Sequence, residues 1–222
     1  MAINNRIAAL IYRIIFIISV SSGIIASLYQ QGHFSLTPFA FFTVQSNFLC
    51  LLVILYCIYD TIIKMKDSGI RGENSAIPVI KGGATVAISV TFLVFHFILL
   101  PFMNDVGDYL QSYNNISLHY INPLLFIGDW LLFDKKGVFN IKDPFKWLLI
   151  PMAYFIFAMI RAEIGDILPL AESRYPYPFI DIDKYGWMVL LYVPVLGLFF
   201  VALGYLIVFI DRITHKYSRN QN

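Results

Sequence analysis

Residues 41–63 read FFTVQSNFLCLLVILYCIYDTII, and Asp60 is the only formally charged side chain among them. A helix needs about 20 mostly apolar residues to cross the hydrocarbon core of a bilayer. This stretch is long enough, and with the proline upstream it predicts a spanning helix over Pro38–Ile63. Its first turns are unlike the rest. Thr43, Gln45, Ser46 and Asn47 place four hydrogen-bonding side chains within one and a half turns. Thr43, Ser46 and Asn47 share one face through their i, i+3, i+4 spacing. Unsatisfied polar groups facing lipid are costly, so the stripe is expected to face the interior of a helix bundle.

The whole chain matches that reading. Of 222 residues, 59% are hydrophobic and 14% charged, with a mean hydropathy of +0.70. A water-soluble domain of this length could not hide so much apolar surface. Six spans are expected, near Ile7–Tyr29, Pro38–Ile63, Val79–Leu100, Ile116–Phe133, Phe145–Arg161 and Trp187–Ile210. The fold class is all-α: a polytopic bundle of six transmembrane helices forming a single integral membrane domain over residues 1–222. The first apolar run is too long for a signal-peptide core and no cleavage site stands out, so it is expected to stay. The fifth span is short and contains Pro151, so it is expected either to be kinked or to start deeper. A net charge of +2, with basic residues scattered in short connections, gives no nucleic-acid signal. Cys50 and Cys57 lie two turns apart on one helix, about 10 Å, beyond disulfide reach. They are expected to be small packing or membrane-facing residues, and no metal-ligand spacing or cofactor motif occurs.

Basic residues set the expected orientation. Arg6, then Lys64, Lys66, Arg71 and Lys81, then Lys135, Lys136, Lys142 and Lys146, then Arg212, Lys216 and Arg219 surround alternate ends of the spans. The intervening connections QQGHFSLT and FMNDVGDYLQSYNNIS contain no Lys or Arg. The positive-inside rule places both termini in the cytoplasm. The fifth connection carries the rigid run YPYP over residues 175–178, and is expected to form an ordered cap over the outer end of the bundle.

This orientation brings several polar groups to one depth near the outer surface: the 43–47 cluster on helix two, His96 on helix three, His119 and Asn122 on helix four, and Arg161 on helix five. Ser, Thr, Asn and Gln commonly hold membrane helices together, which suffices for Gln45, Ser46 and Asn47 alone. Ionisable residues inside a bilayer are functional by default, and two histidines with a threonine and an arginine favour a site. Ser19, Ser21 and Ser22 beside Gly23 read as close-packing contacts, and His33 and His215 as surface residues. Near the cytoplasmic side, Arg13 and Asp129 are expected to pair across helices one and four, the alternative being that Arg13 snorkels to the lipid headgroups.

A threonine and a histidine at matching depth can act as nucleophile and general base toward an ester carbonyl. Asn47, Gln45 or the second histidine are the oxyanion donors that the sequence offers, and Arg161 can hold a substrate carboxylate. The motif G-x-S-x-G is absent. The threonine of FFTVQSNFLC, the HYINPLLFIGD segment with His119, Pro123 and Asp129, and the YPYPFID segment before the last helix resemble the androgen-induced protein family of six-helix membrane threonine hydrolases, and more closely its bacterial relatives. The resemblance implies hydrolysis of fatty acid esters of hydroxy fatty acids or similar lipid esters, with Thr43 as nucleophile and His119 as base, no cofactor, and residence in the plasma membrane of a prokaryote. The Gln-Ser-Asn after the threonine and a histidine-to-proline spacing one residue shorter depart from the family pattern and bear on substrate identity. The alternative is a transporter or ligand-binding membrane protein using the same polar pocket. The chain is short for an alternating-access carrier and lacks repeats, though a homo-oligomer could supply a second half.

Overall fold

The computed structural model describes residues 2–30, 32–102 and 106–219. Six helices are long and apolar enough to cross a membrane: Arg6–Leu28, Phe42–Ser68, Pro78–Leu99, Tyr113–Phe133, Asp143–Ile164 and Ile182–Tyr217. They are numbered one to six here. A two-stranded ribbon, Tyr29–Gln30 against His33–Phe34, turns the chain between helices one and two.

Local chemistry explains the boundaries. Asn5 caps helix one, its side-chain oxygen accepting from the Ala8 amide at 3.1 Å. Gly69, at φ 77°, ends helix two in a left-handed turn that only glycine adopts freely. Arg6 covers the carbonyls exposed there, donating to Lys64 at 2.9 Å and Gly69 at 2.5 Å. Helix two begins at Phe42 rather than Pro38: Thr37–Ala40 is a separate 3-10 turn, and Phe41 between the two is extended. Helix five is broken at Leu148 into Asp143–Trp147 and Leu149–Ile164. Pro151 accounts for the break, since it has no amide for the Trp147 carbonyl and its ring crowds that oxygen. The last helix runs on to Arg219, well past the expected end near Ile210.

Helix three is the axis of the molecule, with 61% of its apolar stretch buried against 17% for helix five. Small residues allow this. A Cβ at position 82 would lie 2.5 Å from the Trp147 ring, and one at position 83 would lie 2.9 Å from it. One apolar core, with Phe16, Ile54, Ile88 and Phe126, fills the space among helices one to four. Another, with Phe42, Val90, Tyr154, Tyr177 and Phe200, joins helices two, three, five and six to the connection before helix six. Cys50 and Cys57 are fully buried, so both are packing residues and neither faces lipid.

The expected Arg13–Asp129 pair exists, at 3.0 Å, inside a larger cluster. Lys81 also meets Asp129 and holds Asp134 at 2.7 Å, while Arg13 donates to Thr61 at 2.7 Å and to the Cys57 carbonyl at 3.1 Å. Arg13, Lys81 and Asp129 are wholly buried. Lys81 is therefore a partner in a buried network rather than a loop charge. Lys136 is buried as well, its ammonium 4.3 Å above the Trp130 ring.

Candidate active site

At the end of the bundle away from the termini, the break at Phe41 makes Thr43 the second residue of its helix. Its amide therefore has no partner within the helix, and it points to the Tyr177 hydroxyl at 3.4 Å. The Thr43 carbonyl collects Asn47 Nδ2 at 2.8 Å and Ser46 Oγ at 3.1 Å. The Thr43 hydroxyl lies 3.1 Å from His119 Nε2. Of the two histidines expected at the depth of Thr43, His119 is the one within hydrogen-bond reach of it.

His119 sits in a π-helical segment, Ser117–Ile121, a widened turn often found at functional positions. Its Nδ1 faces the Asn115 carbonyl at 3.0 Å. A carbonyl only accepts, so Nδ1 carries the proton and Nε2 turns a lone pair toward Thr43. That is the tautomer a general base requires. The Phe95 ring stacks on the imidazole with centroids 3.8 Å apart, and Phe95 itself opens a second π-helical segment, Phe95–Leu99, on helix three.

Asn47 ties the two halves together. Its amide donates to the Thr43 carbonyl and, at 3.0 Å, to the carbonyl of Leu118, the residue before His119. Its oxygen accepts from Asn122 at 2.9 Å, and Asn122 accepts from Ser19 at 2.7 Å. Asn47 and Asn122 are wholly buried. Both therefore position the pair instead of facing a substrate, and Ser19 is a hydrogen-bonding member of the chain, beyond its expected packing role. Ser46 bonds Thr91 of helix three at 2.7 Å.

Three other expected members lie elsewhere. Gln45 donates to the Phe39 carbonyl at 2.7 Å and so pins the 3-10 turn. His96 is exposed on the outside of helix three and meets Tyr120 at 3.0 Å; Phe95 turns inward in its place. Arg161 donates to the Arg174 carbonyl at 2.7 Å, holding the connection before helix six. Depth arguments cannot separate sides of a helix, which is why these residues shared a level without sharing a site.

That connection brings the residue the sequence reading missed. Between Ile164 and Ile182 it packs Leu168, Tyr175, Tyr177 and Ile180 as buried residues, in agreement with the expected ordered cap. Tyr177 is extended, as the residue before Pro178 must be. Burial raises its phenol above the ordinary value, so the hydroxyl stays protonated. The signal available in the sequence was the YPYP run, which fixes backbone direction without telling where the rings land.

Beside Thr43 a cavity of about 280 Å³ opens, lined almost wholly by apolar side chains of helices three, five and six and roofed by Tyr177, Phe179 and Ile180. Helices five and six meet near the termini, where a Cβ at Gly204 would lie 2.8 Å from Pro144, and separate above. The cavity lies in the gap, and its lining residues Met152 and Ile156 are 51% and 56% exposed. Among the described residues, no group of three or more His, Cys, Asp or Glu side chains could hold a metal ion. No protein-family model, curated protein or solved structure matches the chain.

Proposed function

We propose that the chain is an integral membrane hydrolase of lipid esters, with Thr43 as nucleophile and His119 as general base, the activity that the resemblance to the androgen-induced protein family implies. One observation carries the reading: a threonine hydroxyl 3.1 Å from an imidazole nitrogen whose ring partner is fixed on a backbone carbonyl. The apolar cavity against the hydroxyl supports an acyl substrate, and the gap between helices five and six supports entry from the side, out of lipid. The Lys and Arg distribution supports cytoplasmic termini, and hence a site just below the outer headgroups, while the resemblance to the family's bacterial relatives supports the plasma membrane of a prokaryote.

The reaction runs in two steps. Thr43 Oγ1 bonds to the ester carbonyl carbon as its proton passes to His119 Nε2, and the carbonyl π pair moves to oxygen. The tetrahedral intermediate then expels the alcohol oxygen, which takes that proton from His119. Water attacks the acyl-threonine by the same sequence, releasing the fatty acid and restoring the hydroxyl. A lipid-binding protein would use the same cavity, but it has no need of an oriented base on the threonine.

A fluorophosphonate probe reports on the pair directly. The purified protein is expected to be labelled, and Thr43→Ala and His119→Ala are expected to lose labelling by at least about a hundredfold while keeping their melting midpoints. Equal labelling in both variants would remove the assignment.

A further inference from the structure

We propose that Tyr177 supplies the oxyanion donor for acyl transfer at Thr43. This inference rests on the hydrolase reading above and deepens it. The tetrahedral intermediate puts a negative charge on the former carbonyl oxygen, and removing a donor aimed at that charge is typically costly to rate. The donors suggested by sequence are all committed elsewhere. The Asn47 amide holds two carbonyls, Gln45 holds Phe39, and His96 is on another face of its helix.

Tyr177 is engaged at the nucleophile itself. Its hydroxyl accepts the Thr43 amide at 3.4 Å, and the Thr43 side chain is its other hydrogen-bonding neighbour. The neighbouring Tyr154 differs, since its hydroxyl donates to the Ala40 carbonyl at 3.0 Å. The Tyr177 side chain is buried, at 8% exposure, and its ring lines the cavity together with Thr43. It is held there by a stacked Phe179 with centroids 5.1 Å apart and by Phe41 edge-on at 5.8 Å.

A contact of 3.4 Å is long for an amide donor, and it marks where a substrate oxygen can enter. A carbonyl presented to Thr43 from the cavity comes within reach of two neighbouring donors, the phenol of Tyr177 and the helix-terminal amide of Thr43 once the carbonyl takes the place of the Tyr177 oxygen as its acceptor. As Oγ1 bonds to carbon and its proton moves to His119, the electron pair released onto oxygen is held by both. No proton leaves Tyr177, and the phenol is unchanged when the intermediate collapses.

The test compares fluorophosphonate labelling rates for wild type, Thr43→Ala, Tyr177→Phe and Tyr154→Phe, each with its melting midpoint. Tyr177→Phe is expected to slow labelling by about 10²–10³-fold, and Tyr154→Phe by no more than a few-fold. If Tyr177→Phe labels within about threefold of wild type while Thr43→Ala is dead, the donor role falls and the nucleophile stands. If wild type is inert or Thr43→Ala labels as well as wild type, the hydrolase reading itself falls and takes the donor with it. Should Tyr177→Phe melt below the assay temperature, difluorotyrosine at position 177 keeps the shape and makes the phenol more acidic. The alkaline loss of labelling is then expected to move to lower pH, and an unmoved alkaline limb overturns the proposal.

Discussion

Asn47 shows how a residue can govern chemistry without touching it. Its amide spans the carbonyls of Thr43 and Leu118, and its oxygen takes the Asn122 amide. Asn47→Ala leaves three buried polar groups without this partner, at about 1–3 kcal/mol for each that stays unsatisfied. The expected outcome is a lowered melting midpoint together with slower probe labelling, because the spacing of Thr43 and His119 is no longer tied. His96→Ala is expected to leave the labelling rate unchanged, since that ring is exposed and bonded to Tyr120. Measuring both variants side by side separates residues that share a depth from residues that share a site. Counting turns from a membrane surface fixes depth, which set Thr43 level with both His96 and His119 and left open which imidazole was nearer. Tyr177 was not legible, because an aperiodic connection carries no such count. Nor was the Asn115 carbonyl that orients His119, since a backbone acceptor leaves no trace in residue type.

Among elements, helix three and the turns at its far end decide the geometry. Its glycine face brings Trp147 within contact and lets helix five approach. Gly82→Ala would put a methyl 2.5 Å from Trp147 and 2.9 Å from Phe139, and overpacking of this kind costs about 1–3 kcal/mol. A correspondingly lower melting midpoint is expected, with loss of labelling only where the cavity wall shifts. The apolar helices themselves were readable from length and hydropathy alone. The π-helical segments at Phe95–Leu99 and Ser117–Ile121 were not, because facing arguments assume a regular 3.6-residue turn. Phe95 faces inward and His96 outward there, a difference of side that depth alone did not give. The start of helix two at Phe42 was equally hidden, since nothing in the string FAFFTV marks Phe41 as extended.

At the scale of the molecule, the buried cluster joins helices one, three and four, and Thr61 ties in helix two. Removing one member leaves an unpaired charge, so Arg13→Ala is expected to cost about 3–5 kcal/mol of stability. Replacing Arg13 with Met and Asp129 with Leu together keeps Lys81 on Asp134, 2.7 Å away, and is expected to recover most of that loss. Thermal unfolding of the two variants in one detergent checks both outcomes. One pair of this cluster was legible, because Arg13 and Asp129 stand inside apolar runs; Lys81 sat close enough to a basic connection to be counted with it.

The order of these charges along the chain also bears on how the protein is made. A ribosome delivers Arg13, then Lys81, and only afterwards Asp129 and Asp134. Two cations thus enter the translocon before either counter-ion has been synthesised. Nascent chains halted after the third helix would carry Arg13 and Lys81 with neither of these counter-ions, Arg13 having only the neutral partners Thr61 and the Cys57 and Asn74 carbonyls. Arrival of the fourth helix and the residue just after it is the moment at which these two cations gain their counter-ions.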